Sequence, residues 1–229
     1  MINEDVVLPP NGMRQRGPKP TGTRLLMVRH GESFANALGV AGGPKGDGGL
    51  TPKGQAQARA LRDRLALSQE LSGASALYTS TLPRAIETGE IVRAALPSHL
   101  EPILDEEICE INVGEGDGLT WAEFTARFGD VDWDKDPHQV CATGGESLMA
   151  FYERSERALE RLVAAHPGEL VVLVVHGGFI EQAMKHYQGL GGHVRLKPRI
   201  ENCSMTEIEY LDGQKRLLRY NDLVPLPPE

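Results

Sequence analysis

Leu25-Leu26-Met27-Val28-Arg29-His30-Gly31-Glu32-Ser33 runs from four apolar residues straight into arginine, histidine and glycine. A short apolar run stopped by glycine reads as a buried strand. A histidine at the carboxyl end of such a strand stands where open α/β sheets hold their ligands. Arg29 can grip a phosphate through a planar fork of donors, and Gly31 lets backbone approach a ligand closely. An imidazole can also act as a nucleophile that forms a covalent intermediate. Together these residues point to an enzyme that takes a phosphoryl group onto His30. Alone, the same histidine reads as a turn or core residue, so the rest of the chain decides.

A second run has the same ending. Glu169-Leu170-Val171-Val172-Leu173-Val174-Val175 is continuous and β-branched, as a strand buried on both faces of a parallel sheet must be, and it stops at His176-Gly177-Gly178. Parallel neighbours share a carboxyl edge, so the two imidazoles can meet there. A third strand, Ala74–Ser80, leads into Thr81-Leu82-Pro83-Arg84, where Pro83 suits the first turn of a helix and Ser80 or Thr81 would cap it. Arg84 then projects beside a helix N-terminus, a natural anion site, although a solvated helix arginine would have the same sequence.

With these motifs in place the chain resembles the histidine phosphatase superfamily, which contains the cofactor-dependent phosphoglycerate mutases and many phosphatases. The resemblance covers roughly Arg24 to Tyr220 and rests on motifs in the family's order: Arg29–Ser33 with Asn36, Leu50-Thr51-Pro52-Lys53-Gly54-Gln55, Ser80–Thr88, Glu110–Gly118, Gly144–Ser147, His176-Gly177-Gly178 and Asn202-Cys203-Ser204. It implies that His30 attacks phosphorus, that Arg29, Arg84 and His176 surround the phosphoryl oxygens without a metal ion or other cofactor, and that Asn36, Gly177 and Ser80 are phosphate- or substrate-binding residues. It also implies that Glu110 protonates the leaving alcohol and later activates water, with Glu107 as the position that a shifted register would substitute.

The implied activity is hydrolysis of a small phosphorylated metabolite. A mutase moving phosphoryl between hydroxyls and a non-catalytic phospho-ligand module are the alternatives. The family's mutases carry a longer insertion after the second arginine motif, whereas this chain is short between Glu90 and Glu110, which favours hydrolysis. Many relatives have Trp-Glu-Gly where this chain has Gly116-Asp117-Gly118, so an aromatic wall is expected to be missing there. The glycine-rich stretch Ala37–Gly49 is expected to be mobile, with Lys45 as its one cation.

Composition agrees with one α/β domain. The chain has 229 residues, 40% of them hydrophobic, enough for a substantial core. The expected architecture is a single three-layer α/β/α sandwich with a mostly parallel central sheet and an antiparallel edge strand, spanning residues 24–222. Residues 1–23 form an extended or disordered arm and residues 223–229 a tail. Net charge of −8 excludes an extended nucleic-acid surface, and no apolar run reaches the roughly 20 residues that span a bilayer. A homodimer remains open. Three cysteines without metal spacing and the absence of a signal-like leader suggest a cytoplasmic protein.

Helices are expected near Lys53–Leu67, Leu82–Ala94, Thr120–Phe128, Glu146–Ala165 and Phe179–Tyr187. In the fourth, Leu148, Phe151, Tyr152, Ser155, Leu159 and Leu162 fall on one face. Asp212-Gly213 marks a hairpin joining Ser204–Leu211 to Gln214–Tyr220. The aspartates of 128–143 lack the glycine and glutamate of a calcium loop and read as a solvated insertion able to overhang the site. His99, His138, His166 and His193 read as exposed, and His186 as a helix-end cation.

Overall fold

The computed structural model describes residues 22–224. The expected arm, apart from Gly22 and Thr23, and all of the tail beyond Val224 lie outside that range. Six strands form one sheet in the order β3-β2-β4-β1-β5-β6: β1 (Thr23–Arg29), β2 (Ala74–Ser80), β3 (Pro102–Asp105), β4 (Leu170–Val175), β5 (Met205–Leu211) and β6 (Gln214–Asp222). The first four are mutually parallel, and β5 and β6 add an antiparallel hairpin on the β1 side.

Alternation along the strands builds the layers. On one face, Leu25, Met27, Val171, Leu173 and Val175 pack against α5 (Leu148–Ala165) and α6 (Gly177–Gln188) through Phe151, Leu159, Leu162, Phe179 and Ile180. On the other, Leu26, Val28, Val172 and Val174 meet α2 (Pro52–Ser68) and α3 (Pro83–Arg93) through Leu61, Leu65, Ala85 and Val92. Each such fully buried side chain contributes roughly 1.5–3 kcal/mol. Every residue of the expected α5 face is buried.

A smaller cluster of Ala41, Val113, Phe124, Cys141 and Ala142 takes in α4 (Trp121–Phe128) and, at its margin, Val131 and Trp133. The Asp-rich segment therefore packs through its apolar residues. Two elements escape local reading. β3 has only four residues, with Ile103 and Leu104 exposed on an edge. The five-residue α1 (Phe34–Leu38) is closed by a capping box between Ser33 and Asn36.

Candidate active site

β2, β4 and β1 lie side by side and run the same way, so their carboxyl ends deliver Ser80, His176 and His30 to one edge. The His30 N–H donates to Val175 O at 3.0 Å, tying the two strand ends together, and the two imidazoles stand 5.1 Å apart. Gly31 is needed where it sits, because a Cβ there would lie 2.5 Å from Gly54 O in the first turn of α2.

His30 has its Nδ1 2.6 Å from Gly31 O. A carbonyl only accepts, so Nδ1 carries the proton and Nε2 keeps its lone pair. That lone pair meets the Nε–H of Arg84 at 3.1 Å. The same Nε–H reaches His176 Nδ1 at 3.3 Å, and His176 Nε2 lies 2.7 Å from Ser80 Oγ. Both imidazoles are held well below the usual histidine range, first by burial, then by the charges around them, with Arg84 foremost. Both are therefore neutral near pH 7.

Arg84 is 4% exposed, and its ion-pair partner Asp47 is fully buried. Asp47 Oδ2 accepts from Arg84 Nη1, Oδ1 accepts the Arg84 backbone N–H at 3.1 Å, and Nη1 also reaches Gly42 O at 2.9 Å. This carboxylate lies inside the glycine-rich stretch expected to be mobile. The stretch is tied down further by Asp117, whose carboxylate accepts the backbone N–H groups of Gly43, Lys45 and Gly46 at 2.8–2.9 Å.

Arg29 donates through Nη1 to Ile200 O, while its buried Nε has no protein partner. Burial lowers its pKa from the usual arginine value, but a guanidinium stays charged. Gly177 lies alongside, its would-be Cβ 3.6 Å from that Nε, and it opens α6, where backbone N–H groups are free. The next N–H, of Gly178, donates to Glu110 Oε2 at 2.9 Å. Any side chain at Gly178 would strike Glu110, since a Cβ would stand 2.0 Å from Oε1. Arg154 of α5 holds the loop bearing Glu110 by donating to the carbonyls of Glu107, Cys109 and Glu110 at 2.8–3.1 Å, while paired with Glu146.

These groups surround a cleft of about 410 Å³ lined by Arg29, His30, Asn36, Arg84, Glu110 and Gly177, with Trp121, Ile111 and Glu181 further out. Asn36 spends its Oδ1 on the Ser33 N–H, which leaves its amide NH₂ as a donor. Around this cleft are assembled a neutral imidazole with an unprotonated Nε2, two guanidinium groups and a carboxyl. The arrangement suits binding an anion and attacking it.

The profile of the histidine phosphatase superfamily (branch 1) matches residues 25–223. The chain belongs to this superfamily. This histidine phosphatase is 33% identical over 202 residues to phosphoglycerate mutase-like protein 4 of Arabidopsis thaliana, covering 83% of this chain and 81% of that one. It is 34% identical over 158 residues to phosphoserine phosphatase 1 of Hydrogenobacter thermophilus, covering 67% and 70%. Among solved structures, Bacillus stearothermophilus YhfR superposes with a TM-score of 0.74 at 31% identity, over 88% of this chain and 98% of that one. The chain spans about half (53%) of bifunctional protein Rv2228c of Mycobacterium tuberculosis, which it matches at 30% identity. By family and relatives it is an enzyme, a phosphoric monoester hydrolase.

Several expectations need correction in this histidine phosphatase. Ser80, expected to bind substrate or cap α3, does not cap the helix: it is fully buried, accepts the Leu82 N–H from outside the helix and bonds His176. His176 is fully buried, with its Nδ1 against the Nε–H of Arg84. Glu107 faces Arg161 at 3.0 Å and stays out of the cleft. An aromatic residue does line the cleft, but from another position: Trp121, three residues beyond Gly118.

His186 is buried, and burial followed by the Lys215 charge pushes its imidazole down, so it is no helix-end cation. His166 is half-buried, bonded to Glu169 and Tyr78. The insertion supplies no residue to the cleft lining; Asp132 and Asp134 pair with Lys135 and Lys197. Sequence reasoning missed Asp47 and Arg154. The Asp47-x-x-Leu50-Thr51 spacing before α2 was the one available signal for the first, and nothing local marked the second. Among the described residues no helix is long and apolar enough to cross a membrane, and all three cysteines are free.

Proposed function

We propose that this enzyme hydrolyses a small phosphomonoester in two displacements at His30, with no metal ion taking part. The reading is carried by the Nδ1–H to Gly31 O hydrogen bond, which leaves Nε2 unprotonated in the lining of the cleft. Nε2 attacks phosphorus and the P–O ester bond breaks. The leaving oxygen takes a proton from Glu110, which acts as general acid. Water then gives a proton back to Glu110 and attacks phosphorus. The P–N bond breaks, its electron pair returns to Nε2, and inorganic phosphate leaves.

Positioning and charge supply most of the catalysis in such a transfer. Arg84, aligned by Asp47, and Arg29, with its unpartnered Nε, hold the equatorial oxygens beside the Gly177 N–H and the Asn36 amide. His176 and Ser80 keep Arg84 and the neighbouring ring in register. Hydrolysis is favoured over mutase transfer because the stretch from α3 to Glu110 holds only β3 and one 3₁₀ turn, Glu106–Ile108.

Rapid quench with a ³²P-labelled monoester tests the proposal. Acid-labile, base-stable label should appear on His30 within one turnover and be absent from His30→Ala. A His30→Ala enzyme turning over at the wild-type rate would sink it.

A further inference from the structure

Charge divides the cleft in two. At the phosphoryl end stand Arg29 and Arg84, the only cations among the described residues that line it; the other charged lining residues are Glu110 and Glu181. Glu181 follows Gly177 by four residues and Gly178 by three, so it shares their face of α6, one turn on. Helical side chains lean toward the N-terminus, and the turn is about 5.4 Å.

The fold engages Glu181 through one carboxylate oxygen, which is also the ion-pair partner of buried Lys185. That oxygen, Oε1, accepts the Leu196 N–H at 3.3 Å and lies 3.7 Å from the Lys185 ammonium, whose own hydrogen bonds go to Gln182 and Gly192 O. Oε2 has no partner among the described residues. The outer wall carries Trp121, 55% exposed, whose ring face can accept a cation. The cations nearest in sequence to the outer residues Pro198 and Ile200 are engaged elsewhere: Arg195 over the Trp133 ring, Lys197 with Asp134, Arg199 with Glu201.

Building on the phosphatase reading, we infer that the alcohol this enzyme releases is a short amino alcohol without a carboxylate, its ammonium received by Glu181 and Trp121. With phosphate at the Gly177 N–H, one helical turn to Glu181 matches about the reach of a two- or three-carbon spacer between phosphorus and nitrogen. A leaving group bearing a carboxylate would face Glu181 with no lining cation beyond Arg29 and Arg84, which hold the phosphoryl group.

The test compares kcat/KM for three esters of similar size: phosphoethanolamine, n-propyl phosphate and phosphoglycolate, with p-nitrophenyl phosphate as reference. The wild-type order should be ammonium, neutral, carboxylate, with about tenfold between the first two. Glu181→Gln should collapse that first ratio to about threefold or less, acting through KM, and Glu181→Lys should move phosphoglycolate ahead of phosphoethanolamine. The wild-type order tests the charge preference even if a variant folds poorly. Hydrolysis of the neutral esters with no ammonium preference, or a preference that survives Glu181→Gln, overturns this inference and leaves the phosphatase reading standing. Failure of every ester, p-nitrophenyl phosphate included, to label or turn over defeats both.

Discussion

β1 and β4 are adjacent, parallel and end alike, in a histidine followed by glycine and a helix, yet the two imidazoles have different environments. His30 spends Nδ1 on a backbone carbonyl one residue away and turns Nε2 to Arg84 in the cleft lining. His176 spends Nε2 on the hydroxyl of Ser80, 96 residues distant, and turns Nδ1 to Arg84 behind the cleft. The partner of the second ring nitrogen, rather than the local motif, sets the two rings apart. Arg84 is the hinge of the pair, since one N–H serves both rings.

The sharpest way to break this comparison is to remove each ring in turn. His30→Ala should lose turnover on the order of 10⁴-fold or more, as nucleophile removals do. His176→Ala should lose about 10²-fold and still form phosphoenzyme. Equal losses, measured by steady-state kinetics and by quench, would show that the rings share one role.

The hinge comes next. Arg84→Ala should cost on the order of 10²-fold in kcat, with poor rescue by Arg84→Lys because an ammonium lacks the fork. Asp47→Asn should lower kcat about tenfold with little change in KM, since it loosens the guanidinium without removing its charge. Wild-type rates in Asp47→Asn would detach the buried ion pair from the chemistry.

The Glu110 carboxylate accepts the Gly178 N–H at the start of α6, the helix that follows β4. In single-turnover labelling of His30, Glu110→Gln should slow an alkyl ester about 10²-fold and p-nitrophenyl phosphate only a few-fold, because nitrophenolate leaves without a proton. Equal losses would remove Glu110 from the acid role.

The smallest expected effect is on stability. Both imidazoles have pKa values below their unfolded value of about 6.5. The unfolded chain therefore binds more protons below that pH, and stability falls as pH drops through it. Urea midpoints should decrease from pH 7 to pH 5.5, and less steeply in His176→Gln. A midpoint that is flat or rises on acidification would contradict neutral buried rings.

Elements with a strong local period were legible in the sequence. β1, β4, the buried face of α5 and the Asp212-Gly213 hairpin follow from alternation, β-branching, 3.6-residue spacing and turn chemistry, which are properties of neighbours along the chain. The strand-end histidines were legible for the same reason, and with them the sheet edge where the site lies. β3 was not, because a four-residue edge strand with exposed leucine and isoleucine has no buried face to impose a period.

Only the tertiary structure decided the side-chain partners. It paired Asp47 with Arg84 across 37 residues, set Ser80 against His176 rather than at a helix cap, clamped the Glu110 loop with Arg154, and brought Trp121 and Glu181 to one cleft. The physical reason is that a buried polar group must find a partner wherever the packed layers deliver one. That choice depends on which distant segments the sheet order makes adjacent, and no local pattern records it.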